Sequence, residues 1–99
     1  MENKSAGIKA LLMCLREDLG RENFDITDHW EADTQAIGIS KKGHEDILVY
    51  INVDDNEPIY YVVFEITSKS NEYESAGEYN NLKYDQLLPI IQRHLSLGN

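Results

Sequence analysis

"IYYVVFEI", residues 59–66, carries one polar side chain in eight positions. A strand half-buried in a sheet alternates apolar and polar residues, one face toward the core and one toward water. Here Tyr60, Val62, Phe64 and Ile66 form one face, and Ile59, Tyr61, Val63 and Glu65 form the other. Both faces are rich in apolar atoms, so the rest of the chain must be asked what lies on each side.

The preceding segment "ILVYINV" (47–53) has period two as well, with Ile47, Val49, Ile51 and Val53 inward and Leu48, Tyr50 and Asn52 outward. "DDNEP" between the two segments reads as a hairpin turn, because Asp and Asn tolerate turn dihedrals and Pro58 can begin an edge or bulge. Further upstream, "AIGISKK" places Ile37 and Ile39 inward and leads into the turn "KKGHED". "NFDITDHW" sets Phe24, Ile26 and Trp30 on one face, with Asp28 breaking the row, and Asp25, Thr27, His29 and Glu31 on the other. Turns this short favour an antiparallel meander, since parallel strands need long crossovers.

Both ends read as helix. Ile8, Leu11, Leu12, Leu15 and Leu19 form one apolar stripe over residues 5–20, with Ser5 as N-cap and Gly20 as terminator. Tyr84, Leu87, Leu88, Ile91 and Leu95 share a face in "YDQLLPIIQRHL", a helix beginning near Asn81 or Lys83. Pro89 falls inside it, so it lies in the first turns or kinks the helix. Residues 68–82, "SKSNEYESAGEYNNL", read as a long polar loop, with a ragged fifth strand or hairpin through Tyr73 and Tyr79 as the alternative.

The expected order is α-β-β-β-β-α in one domain, residues 1–99. That is an α+β two-layer sandwich: an antiparallel four-stranded meander with the N- and C-terminal helices on one face. The other face, with Leu48, Tyr50, Ile59, Tyr61, Val63 and Glu65, is left open.

Charge narrows what such a face would meet. Lys4, Lys9, Arg16 and Arg21 balance Glu2, Glu17, Asp18 and Glu22 in residues 1–23, so residues 24–99 carry the whole net charge of −9. Nucleic acid and anionic membrane surfaces are disfavoured by that sign. A basic protein would be attracted. The competing reading is that acidity serves solubility alone. A single Cys14 excludes an internal disulfide and fits a reducing compartment. No apolar run approaches the roughly 20 residues of a membrane span, and charges interrupt the first 19 residues where a signal peptide would be apolar. Cytoplasmic residence is expected.

Catalytic and metal signatures are weak. His29, His44 and His94 have no ligand spacing, there is no second cysteine, and His94 in the last turn of a helix is explained by the helix dipole. "DDNE" (54–57) lacks the alternating spacing and distal glutamate of a calcium loop. Glu65 is the one acid embedded in an apolar run, but alternation places it on the open face. The sequence contains no nucleophile elbow or Gly-rich phosphate loop. The expectation is a non-catalytic protein with no cofactor and no metal.

Contiguous apolar surface on a small soluble protein marks a contact site, and tyrosine is favoured in such sites. The expected partner-binding set is therefore Leu48, Tyr50, Ile59, Tyr61, Val63 and Glu65, rimmed by Asp54, Asp55, Glu57, Glu72, Glu74 and Glu78. A homodimer through this face and cover by the 68–82 segment are the competing readings.

In length, acidity, helix–meander–helix order and the ending "LKYDQLLPIIQRHL", the chain resembles the small acidic immunity proteins that bacteria make against their own secreted toxins. The resemblance implies a cytoplasmic inhibitor of one toxin, often a basic nuclease, with acids standing where substrate phosphates would lie. Asp25, Asp28, Glu31, Asp33, Asp54, Asp55, Glu57, Glu72, Glu74 and Glu78 are then candidates for that role, with Tyr50 and Tyr61 as anchors. The alternatives are a small acidic secretion chaperone, typically a dimer, and a small hydrolase or ligand-binding domain with its pocket under residues 68–82.

Overall fold

The hydroxyl of Ser5 accepts a hydrogen bond from the Ile8 amide at 3.3 Å and so starts the first helix, α1 (Ala6–Leu15). The structure, a computed structural model, describes residues 4–27, 33–54, 59–67 and 73–95, leaving out the side chains of Glu45, Thr67 and residues 73–76. Beyond Leu15 the helix widens into a π turn, Arg16–Gly20. Gly20 stops it at φ +86°, where a side chain would be strained, and the Asn23 amide donates to the Leu19 carbonyl at 2.5 Å. The expected stripe is intact, since Ile8, Leu11, Leu12, Leu15 and Leu19 are all buried.

Five strands follow: β1 (Phe24–Ile26), β2 (Ala36–Lys41), β3 (His44–Asp54), β4 (Ile59–Thr67) and β5 (Tyr73–Leu82). They form one antiparallel sheet in sequential order β1-β2-β3-β4-β5. The fold is therefore α+β as expected, but the meander has five strands rather than four. Residues 73–82 pair with β4, so the alternative reading of a ragged fifth strand through Tyr73 and Tyr79 holds, and the long polar loop over 68–82 does not. Its polarity has a simple reason: β5 is an edge strand, and Glu78, Tyr79, Asn80 and Asn81 are exposed. Two register shifts against β4 further blur its period. The turn expected over 41–46 contracts to Lys42 and Gly43, and β3 begins at His44. β1 is only three residues, with Ile26 39% exposed, and the rest of that expected strand (28–31, including Trp30) lies outside the described residues.

α2 (Tyr84–His94) begins where Gln86 accepts the Lys83 amide on its side-chain oxygen at 2.9 Å. Asp85 in the first turn and Arg93 in the last suit the helix dipole. Pro89 sits in the second turn and removes the amide that would bond the Asp85 carbonyl; both residues are exposed, so water can serve that carbonyl instead. The Tyr84 hydroxyl donates to the Asp18 carboxylate at 2.6 Å, tying α2 to the π turn. Burial and this bond push the Tyr84 phenol pKa well up.

The apolar faces of both helices join one core with Ile37, Ile39, Val49, Ile51, Val53, Tyr60, Val62 and Phe64. The inward alternation expected for β2, β3 and β4 holds until its ends: Ile47 is half-buried, and Ile66 is 45% exposed. No helix among the described residues is long and apolar enough to cross a membrane.

Candidate functional site

The sheet face away from this core has two halves of different character. Ala36, Gly38 and Ser40 of β2 are buried on it, beside Leu48 of β3, which is 0% exposed. Ser40 and Leu48 are direct cross-strand partners, and the Ser40 and Thr27 hydroxyls share a buried hydrogen bond of 2.8 Å. Leu48 thus leaves the exposed patch expected from the sequence. Ala36, Gly38 and Ser40 in a row beside a fully enclosed Leu48 make this half a buried one, and alternation alone does not reveal that.

The other half is open. Tyr50, Ile59, Tyr61, Val63 and Glu65 are each half-buried, and Asp54 and Glu78 are exposed. Register brings them together: Tyr50 faces Val63, Asn52 faces Tyr61, Asp54 faces Ile59, and Val63 faces Glu78. The Tyr50 and Tyr61 rings stand edge to face with centroids 6.3 Å apart, a favoured aromatic geometry. Asn52 donates a long bond, 3.5 Å, to the Tyr50 hydroxyl. The Tyr61 hydroxyl donates to Glu78 at 2.8 Å, which raises the Tyr61 pKa. The bond favours the neutral phenol, with its proton directed at a carboxylate.

Of the remaining expected acids, two have described side chains, and both are engaged by other groups. Asp25 lies on β1 and takes the Lys42 ammonium at 2.8 Å and the Gly43 amide at 3.1 Å, with its carboxyl pKa lowered, first by the Lys42 bond. Asp33 accepts the Gln35 amide on its carboxylate and the Lys4 ammonium on its carbonyl. Asp28, Glu31, Asp55, Glu57 and Glu72 lie outside the described residues, as does the side chain of Glu74. Among the described residues, the acids on the strands that carry the tyrosine pair or flank it, on this face, are Asp54, Glu65 and Glu78.

Sequence reasoning misses one feature of the open half. Asn52, Asp54, Ile59, Tyr60, Tyr61, Asn80 and Asn81 line a hollow of about 250 Å³. The signal was the pair "NN" at 80–81, two residues fitted to turns and bulges inside a segment read as a loop. Among the described residues no three His, Cys, Asp or Glu side chains gather to hold a metal ion. Cys14 is exposed on α1. No family model matches the chain, and neither the curated proteins nor the solved structures compared with it give a match.

Proposed function

We propose that this protein is a non-catalytic binding module, a two-layer sandwich that captures a basic protein partner on the open half of its sheet. The observation that carries this reading is the edge-to-face pair of Tyr50 and Tyr61, half-buried beside Val63 and anchored to Glu78. Two aromatic rings with little rotational freedom, an aliphatic neighbour and an acidic rim are the composition of a binding hot spot. The net charge of −9 supplies the steering field for a cationic partner.

Within that class, the reading favoured by the chain's resemblance is an immunity protein acting in the cytoplasm on a basic bacterial toxin, a nuclease above all. Asp54, Glu65 and Glu78 would then meet cationic groups that otherwise hold substrate phosphates. The experiment is affinity capture from the native host with wild-type and Tyr61→Lys baits, followed by salt titration of the purified pair. A single basic protein is expected, released by salt and lost from the Tyr61→Lys bait. Coexpression of this protein should relieve toxicity of that partner. A neutral or acidic partner, or equal retention by both baits, overturns the reading. A wild-type dimer that Tyr61→Lys converts to monomer would replace it with self-association.

A further inference from the structure

We propose that the hollow beside Tyr61 receives one arginine side chain of the partner; this deepens, and rests on, the reading of the open face as a protein-binding surface. β4 and β5 pair Tyr60 with Leu82 and Val62 with Tyr79, so Asn80 and Asn81 together stand opposite Tyr61. An extra residue of this kind bends the strand and re-aims its side chains. Asn81 holds φ +55°, a left-handed conformation that asparagine accepts more readily than most residues. The bulge therefore places two neighbouring asparagines in the lining of one hollow, shared with Asn52 and Asp54 of β3 and Ile59 of β4.

The chemistry of the lining selects the occupant. None of the lining residues is basic, so an anion meets no compensating charge. At about 250 Å³ the hollow is smaller than the roughly 300–1,000 Å³ of sites for drug-sized ligands and suits a single side chain. The acceptors are the Asp54 carboxylate and the amide oxygens of Asn52, Asn80 and Asn81, spread over β3 and β5. A guanidinium carries about five N–H donors in one rigid plane, which can address several separated acceptors at once. Its flat face can stack on a tyrosine ring, and Tyr61 is among the lining residues. Ile59 offers apolar surface to the methylene stem. A lysine ammonium is a compact point charge that uses fewer of these groups. Glu78, bonded to Tyr61, adds negative charge at the same edge.

The probe is the tripeptide acetyl-Gly-Arg-Gly-amide, titrated into the ¹⁵N-labelled protein and compared with its lysine and citrulline counterparts. The arginine peptide is expected to shift the side-chain amides of Asn52, Asn80 and Asn81 saturably. Citrulline keeps the shape without the charge and should shift them little. Asp54→Asn and Asn81→Gly should each weaken the arginine peptide about fivefold, the scale of one partly exposed charged contact. Glycine accepts the left-handed backbone at position 81, so that variant removes the amide while keeping the bulge. The proposal is overturned if the arginine peptide leaves these amides unmoved, if citrulline matches it, or if neither variant weakens it. The comparison of the peptides needs no variant and so stands even if one fails to fold. Capture of a basic partner through Tyr61 with an inert hollow would remove this proposal and leave the proposed function in place. Arginine binding without any captured partner would do the reverse.

Discussion

Tyr50 of β3 and Tyr61 of β4 meet edge to face at 6.3 Å, and the second of them is tethered to β5 through Glu78. Three strands thereby fix the orientation of one aromatic pair on a half-open surface. Replacing Tyr61 by Lys should cost at most about 1.5 kcal/mol of stability, the scale of a lost aromatic pair at a partly exposed site. Its effect on association should be larger, a loss of about 2 kcal/mol or more, or roughly 30-fold in affinity. Chemical denaturation and binding measured on the same variant separate the two. A collapse in stability would mean that the surface around Tyr61 is structural.

Leu48 supplies the opposite case. It sits on the same sheet face as the tyrosines yet is 0% exposed. Leu48→Ala should therefore destabilise by about 2–5 kcal/mol, as core truncations do, rather than by the few tenths expected of a surface leucine. Ser40→Ala should cost about 1–3 kcal/mol, because it leaves the buried Thr27 hydroxyl without its 2.8 Å partner. Urea unfolding of both variants measures this directly, and losses below about 0.5 kcal/mol would show that this half is open too.

Tyr61 and Leu48 also mark how far the sequence could be read. Alternation places Tyr60, Val62 and Phe64 in the core, and the helical stripes place Leu11, Leu15, Leu87 and Ile91 there; all seven are buried. Alternation gives the side of the sheet on which Leu48 lies, but a period of two carries no information on how deeply that side is buried. β5 is legible only as the alternative to a loop. An edge strand needs few apolar residues, and Gly77, Asn80 and Asn81 imitate a loop while the backbone pairs with β4. The hollow was illegible for that reason, since half of its polar lining belongs to the strand that composition disguised. The acids illustrate the converse: Asp25 and Asp33 read as candidate partner contacts, but Lys42 and Gly43 of the β2–β3 turn engage Asp25, and the Gln35 amide engages Asp33.

Asn81 tests the bulge itself. At φ +55° a β-branched side chain is strongly disfavoured, whereas glycine is free to adopt the angle. Asn81→Val should destabilise by about 1–2 kcal/mol and Asn81→Gly by well under 1 kcal/mol. Thermal melts of the two variants give the order. Equal losses would indicate that the asparagine side chain, rather than its backbone angle, holds the bulge.

His94 carries the pH dependence. It closes α2, with its ring centroid 4.6 Å from that of Phe64 and Nε2 enclosed without a hydrogen-bond partner among the described residues. Burial lowers its pKa below 6.5; backbone groups of Leu48 and Glu65 pull the other way and are the smaller influence. The helix C-terminus also favours the cation, and burial outweighs both. The unfolded chain therefore binds a proton near pH 6.5 that the folded chain resists, so stability rises with pH through that region. The contribution is full above pH 6.5 and is lost as pH falls toward the folded-state pKa. Carboxylates add their own acid dependence, so the informative quantity is the difference between wild type and His94→Phe, which keeps a ring against Phe64 and cannot titrate. Urea unfolding at pH 7.5 and 5.5 should show a larger drop for the wild type. Equal drops would mean that His94 reaches water and titrates alike in both states.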